Sequence, residues 1–498
     1  MRLAVRAIVA ALVLAGAGGC VNQRVEIDRY RRVLDAGAGP EAPPLLPGEE
    51  LTLLRALRLA NQDNERLAIV GEDYVQALAD KARAFATFLP TIGLQPGYTI
   101  THNPNAGSQQ TGSDGVARPV GTSGGFKPVG RTLRRFEIPV NASGNLFRGF
   151  RDLAQLRTSD WTIEQRRQLL LDAQASLLLE VAQTYYTVLR AQSNVEVLRK
   201  SLEAQQERVR DARGRLDAGT GRPLDLAQAE AQAAGTRVTL VQAQGDAANA
   251  RTLLAFLIGA PEVSGPLRDA YALPADVGAV EELLSAAWDG REDYRAAQAV
   301  VEAAVHNVNA TIGQYYPSVT LNATTYLFRE NFADASKWNA LLSINIPIFS
   351  AGVIEADVRT AWSILRQSAM QQSLIRRQIE DEVRERYQNF LTSTGKLREL
   401  DAQIRAAAEA YRQARASYDA GTSIFLDVLT AQDVLLNSEL ELTTEAFNQK
   451  VIYLDLLRST GRLKLGNVAR AATRPTTNPT PGPATLPGAV EPVAPAGP

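Results

Sequence analysis

Apolar and polar positions along the chain follow one order of periods, and that order is written twice. Helical spacing runs from Leu51 to about Thr87 and again from Val280 to about Gln314, each stretch closed by a proline, Pro90 and Pro317. Period-two alternation comes next. Ile92, Leu94, Tyr98 and Ile100 make one strand-like run, and Phe136, Ile138, Val140 and Ala142 a second. In the later copy the runs are Val319, Leu321, Ala323 and Leu327, then Trp338, Ala340, Leu342, Ile344, Ile346 and Ile348, with polar Thr320, Asn322, Thr324, Asn339, Ser343 and Asn345 between them. A helical pattern then holds from about Arg151 to Leu216 and from about Val353 to Tyr418, each about 65 residues and about 100 Å at the rise of a helix. Helices of that length do not fold back into a compact globule. Gly219 and Gly421 end them, because glycine takes the left-handed conformation past a last turn, and the Thr or Ser that follows suits the start of a new helix. Return helices are expected from about Leu224 to Leu257 and from Leu426 to Leu457.

The two copies align at one offset. Asp217-Ala218-Gly219-Thr220 followed by Leu224-Asp225 becomes, 202 positions later, Asp419-Ala420-Gly421-Thr422 followed by Leu426-Asp427. The same shift carries Glu180-Val181, Tyr185 and Leu189 onto Glu382-Val383, Tyr387 and Leu391, Phe147 onto Phe349, and Gly259 onto Gly461. Leu89-Pro90 echoes Tyr316-Pro317 at 227 positions, so the first copy carries 25 extra residues, a Gly/Ser/Thr-rich surface loop from about Asn103 to Gly130. Along the long helices, Leu179, Ala182, Tyr186 and Leu189 form a narrow Ala-rich stripe that suits coiled-coil seams, and Tyr185 and Tyr387 read as seam packing. Strands with one apolar and one polar face, flanked by Tyr98, Phe136, Tyr326, Phe328 and Trp338, match a transmembrane β-barrel with aromatic girdles. Lipid forbids open strand edges, so four strands from one chain must close with those of other chains, and three copies give twelve.

The first residues read as an export signal: Arg2 and Arg6, an apolar core from Ala7 to Ala15, then Gly16 to Gly19. Cys20 directly behind them resembles the bacterial lipoprotein processing site, although Ala17 stands where that site usually has Leu; the other reading is a simple cleaved signal. Val21 and Asn22 follow, and the absence of Asp beside the Cys resembles lipoproteins sent on to the outer membrane. No later run of about 18 apolar residues exists, so helical membrane spans are not expected. The expected organisation is residues 1–19 signal, 20–50 lipid-anchored spacer, 51–265 first repeat, 266–465 second repeat and 466–498 a disordered Pro/Ala/Thr-rich tail.

Composition removes other classes of function. With 53 Lys and Arg against 54 Asp and Glu, no charge imbalance points to a nucleic acid. One Cys and two His leave no intrachain disulfide, and His102 and His306 are isolated, so no metal is expected. Thr394-Gly395-Lys396 looks like part of a phosphate loop, but Phe390 stands where the earlier glycine is needed. Glu380-Asp381-Glu382 with Arg384 and Arg386 reads as a solvated helix face. Nothing supports catalysis, and apart from a covalent lipid on Cys20 no cofactor is expected.

The two-fold repeat, the order helix, strand, strand, long helix, turn, helix, the borders at Pro317 and Phe349, and the twice-written Ala-Gly-Thr-x-x-x-Leu-Asp tip together resemble the TolC family of bacterial outer-membrane efflux proteins, from about Leu51 to Gly461. The resemblance implies a homotrimer with a twelve-stranded barrel in outer-membrane lipid, continuous with a periplasmic α-helical coiled-coil barrel. It also implies partners, a periplasmic adaptor (membrane fusion protein) and an inner-membrane pump, in multidrug efflux or in one-step (type I) protein secretion. From a different class, a non-conducting periplasmic coiled-coil scaffold remains open.

Ser423, Asp427 and Thr430 share one face at i, i+4 and i+7. If that face looks down a three-fold axis, three chains place a carboxylate ring at the periplasmic mouth, favouring cations. The resemblance implies that these positions form the entrance constriction and that Tyr418 joins the contacts holding it shut. The family often has a basic residue where Ser423 stands and a second acid where Thr430 stands, so a less charged gate is expected. Gly221, Asp225 and Gln228 occupy the matching face of the first copy, with Asp217 and Arg222 nearby. The alternative for Asp225 and Asp427 is a favourable position in a first helical turn, worth roughly 0.3–1 kcal/mol without any function. Gly219, Thr220, Gly421 and Thr422 are turn residues that an adaptor's helical hairpin would meet.

Overall fold

The computed structural model describes residues 22–36, 40–103, 109–111, 117–119, 131–274, 276–330 and 337–472. The export segment, Cys20 and residues 473–498 lie outside them. In chain order the elements are α1 (Gln23–Leu34), β1 (Leu51–Thr52), α2 (Leu53–Asp63), α3 (Glu65–Ala86), β2 (Thr91–Leu94), β3 (Gly97–Asn103), β4 (Gln109–Thr111), β5 (Ala117–Pro119), β6 (Arg131–Arg148), α4 (Arg151–Asp217), α5 (Pro223–Leu257), β7 (Leu267–Arg268), α6 (Val280–Gly290), α7 (Glu292–Ile312), β8 (Ser318–Arg329), β9 (Trp338–Asn345), α8 (Val353–Asp419), α9 (Phe425–Ser459) and α10 (Leu465–Ala472). Both long helices, α4 and α8, have 67 residues and both return helices, α5 and α9, have 35; each pair starts 202 positions apart.

The chain divides into two compact units, one of residues 1–75, 165–297 and 371–498 and the other of residues 76–164 and 298–370. The core of the first is built on Tyr185, Tyr186, Leu178, Leu254 and Leu257, all nearly or fully buried. Tyr185 is more than seam packing. Its hydroxyl donates to the carbonyls of Leu51 and Arg268, both at 2.8 Å, and so ties α4 to the short parallel pair β1–β7. The two helices expected to run unbroken each break once, at Asn64 and at Arg291, again 227 positions apart. Asn64 caps the next helix, its Oδ1 accepting from the amides of Arg66 and Leu67 at 3.0 and 3.4 Å while its Nδ2 donates to the Leu257 carbonyl at 3.0 Å.

The segment expected to be only a spacer contains α1, which docks on this core. Tyr30 and Leu34 are 4% and 2% exposed, and a Cβ on Gly71 would lie 2.5 Å from the Tyr30 ring, so a glycine lets the helix approach. Arg31 donates to the Asn61 and Gln62 carbonyls at 2.8 and 2.5 Å. At the other end, α10 packs Leu465 and Val468 into the same core, so the start of the expected tail is ordered structure.

Glu382 also departs from the solvated reading. It accepts from Arg291 at 2.5 Å, and that guanidinium holds Asp293 with two further bonds of 3.0 and 2.6 Å. Arg291 is 5% exposed. Burial alone would raise Asp293, but the bonds from Arg291 outweigh it and hold the carboxyl below its usual range.

In the second unit β6 pairs with β8, β8 with β9, and β2 and β3 share the other edge of β6, all antiparallel. The first expected strand is thus split at Gln95-Pro96, and β9 ends at Asn345 rather than Ile348. Among the described residues the order is open, with β2 and β3 at one edge and β9 at the other. Ile92, Ile100, Trp338, Leu342 and Ile344 are 56–73% exposed, an apolar surface that water does not favour. At each strand-to-helix corner two successive residues take positive φ, Gly149 and Phe150 at 63° and Ala351 and Gly352 at 51° and 83°.

Candidate gate at the helical tips

The tips are two turns of the same build. Gly219 and Gly421 sit at φ 74° and 75°. The Gly421 amide donates to the Tyr418 carbonyl and the Thr422 amide to the Ser417 carbonyl, both at 2.9 Å. Gly219 and Thr220 repeat this on the Leu216 and Arg215 carbonyls, also at 2.9 Å. The hydroxyls of Thr220 and Thr422 donate to the same Arg215 and Ser417 carbonyls at 3.1 and 3.0 Å. Each threonine therefore closes the helix behind it, satisfying carbonyls that a helix end leaves unpaired. Leu224 and Leu426, just beyond the turns, are 57% and 51% exposed.

Between the tips the side chains separate the two aspartates that sequence treats alike. Asp225 is 5% exposed. It accepts from Arg222 at 2.9 Å and from the Tyr418 hydroxyl at 3.3 Å, a contact from the second long helix to the first return helix. Tyr418 packs on Phe425, ring centroids 5.3 Å apart, and Arg215 lies 5.1 Å over its ring while donating to Asp419 at 2.7 Å. Burial, with the Asp225 charge behind it, pushes the Tyr418 hydroxyl above its ordinary value, so it stays the donor. Asp427 is exposed, touched by the Ser423 hydroxyl at 2.5 Å. Thr430 is exposed and donates to the Leu426 carbonyl at 2.9 Å, while Gln228 is half-buried.

The structure thus brings together Tyr418 and Asp225, and separately Ser423 and Asp427. Sequence reasoning missed Arg215 and Asp419 as partners, although Asp419 opens the repeated tip motif and Arg215 lies one turn before Gly219. The arrangement offers a paired, shielded carboxylate between the repeats and a second, exposed carboxylate one helix away.

Comparison with known proteins identifies the family. The family described as Outer membrane efflux protein matches residues 57–260 and 283–462, one stretch in each repeat. The chain is 24% identical to the outer membrane efflux protein BepC of Brucella suis over 71% of this chain and 77% of that one. It is 26% identical to the proteases secretion protein PrtF of Dickeya chrysanthemi over 59% of this chain and 65% of that one. Its fold is shared with the outer-membrane channel OprN at a TM-score of 0.71 and 22% identity, over 87% of this chain and 92% of that one. A match spanning both repeats, with a long helix, a glycine turn and a return helix in each, means that the chain belongs to the outer membrane efflux protein family.

Proposed function

We propose that the chain is the outer-membrane exit channel of a tripartite efflux system, a homotrimer gated at its helical tips and fed by a periplasmic adaptor and an inner-membrane pump. The observation that carries this reading is the Tyr418–Asp225 contact between the repeats, set beside an exposed Asp427 in the first turn of α9. A barrel supplies the rest. The sheet is open at β9 and at β2/β3, and its exposed apolar side chains suit lipid, so three copies closing edge to edge would satisfy every strand. Three Asp427 carboxylates at a mouth would favour cations. A lipid on Cys20 would add an anchor, with α1 holding the start of the mature chain to the helical core.

The test is single-channel conductance of the detergent-purified oligomer across a salt gradient. Cation preference that weakens in Asp427→Ala supports the mouth assignment. Unchanged selectivity moves the constriction elsewhere, and a folded oligomer that conducts nothing replaces the channel with a scaffold. The similarity to PrtF favours a second reading, the outer-membrane part of a one-step protein secretion system. Deleting the gene separates the two: sensitivity to small toxic compounds supports efflux, and loss of a secreted protein alone supports secretion.

A further inference from the structure

The apolar face of the sheet carries an arginine at its edge. On β3 and β6 successive rows of that face are Tyr98 opposite Phe136, Ile100 opposite Arg134, and His102 opposite Thr132. Tyr98 and Ile100 are 57% and 60% exposed, and Phe136 lies against Phe328 of β8, ring centroids 5.8 Å apart. One row beyond Arg134 the face is polar, with His102 Nδ1 and the Thr132 hydroxyl 3.1 Å apart. Arg134 therefore stands where the apolar surface ends, one row past the aromatic side chains, and it is exposed. Its neighbour behaves differently. Alternation turns Arg135 to the other face, where it and Arg329 meet Glu137 at 3.0 and 3.5 Å. Arg134 has no hydrogen bond or ion pair among the described residues. Glu330, the exposed acid just past β8, bonds through its amide to the Phe136 carbonyl at 3.0 Å, and its carboxylate does not reach Arg134.

A guanidinium on a lipid-facing surface is costly among acyl chains and tolerated at the interface, where phosphate oxygens can accept its paired N–H groups. The Arg134 row lies at the end of the sheet away from the starts of α4 and α8, which is the outer leaflet in the channel proposed above. We propose that Arg134 binds a phosphate of a phosphorylated glycolipid of that leaflet. Ile100 and Tyr98 then lie against the first carbons of its acyl chains, and the His102–Thr132 row faces its sugar. Two observations favour a glycolipid over a lipid with a single phosphate and no sugar. The polar row beyond Arg134 offers hydrogen-bonding groups to sugar hydroxyls. The stretch from Tyr98 to Glu137 holds five basic residues and two acids in a chain of net charge −1, which suits a headgroup with several anionic groups, whereas Tyr326 to Trp338 holds two of each. This inference rests on the barrel proposed above and names the lipid its outer rim selects.

Native mass spectrometry of the full-length protein purified in detergent, titrated with diphosphorylated lipid A, tests it. The natural protein is expected to hold this lipid about tenfold more tightly than Arg134→Ala, the loss for one charge-assisted contact. It should hold the dephosphorylated lipid no better than the variant does. Arg134→Lys, which keeps the charge without the planar fork, should recover part of the affinity, and Glu330→Gln should bind at least as tightly as the natural protein. Equal affinity of the natural protein and Arg134→Ala overturns the site. Phosphatidylglycerol held as tightly as lipid A overturns the glycolipid as its ligand. If lipids are not discriminated while the spectra show three chains, this site falls and the barrel stands; spectra of single chains alone overturn both.

Discussion

Tyr418 and Asp225 show how one hydroxyl can join two repeats. Their bond spans 193 positions of sequence and leaves Asp225 with two donors, the hydroxyl and Arg222. Tyr418→Phe keeps the ring against Phe425 and removes about 1 kcal/mol from the contact between the repeats on which the proposed gate rests. Single-channel recording should therefore show a larger or more frequently open conductance at neutral pH. The alkaline branch has a definite sign. A tyrosine raised above 10.0 keeps its proton, and its contribution is complete below that pH and lost as pH climbs through the raised value. The natural channel should open in that range, and the Phe variant should lack the step. A variant that conducts like the natural protein at every pH would remove the contact from the gate.

At the scale of elements, the breaks at Asn64 and Arg291 decide how the helices pack. A period count sees unbroken helices because both residues fit the polar face. The structure shows why they end: Asn64 caps the next helix, and Arg291 is needed below the surface as the partner of Asp293 and Glu382. Arg291→Ala strands two carboxylates and should cost about 3 kcal/mol, the low end for a broken buried pair because Glu382 is 45% exposed. Denaturant unfolding of the purified protein reads that loss directly. The pH dependence follows from Asp293, whose carboxyl Arg291 holds below the usual range. Its contribution is present above about pH 4 and is lost as pH falls through the lowered value, a loss that Arg291→Ala should no longer show. An equal acid sensitivity in both proteins would assign it to other groups.

For the whole molecule, the sheet separates a membrane channel from a scaffold. Ile92, Ile100, Trp338, Leu342 and Ile344 present apolar surface, and among the described residues the sheet's two edges are unpaired in a single chain. Cys20→Ser removes the proposed site of lipidation and leaves this surface intact. The variant should still need detergent for release from membranes, as measured by fractionation in high salt and then in detergent. Release by salt alone would mean that only the lipid holds the chain.

Local sequence determined the elements of this protein. The period of apolar positions placed the four helices of the hairpins to within about two residues, the glycines marked both turns, and a constant shift of 202 related the copies. Those features are legible because they depend on neighbours one to four positions away. Tertiary structure alone decided which of two equivalent aspartates is shielded. Asp225 is covered because Tyr418 approaches from another helix, while the residue that the repeat puts in the place of Tyr418 is Leu216, which has no hydroxyl to offer Asp427. The same holds for α1, whose Tyr30 and Leu34 form a core only where Gly71 leaves room. Contacts between distant segments depend on shape and distance in space, which no periodicity along the chain records.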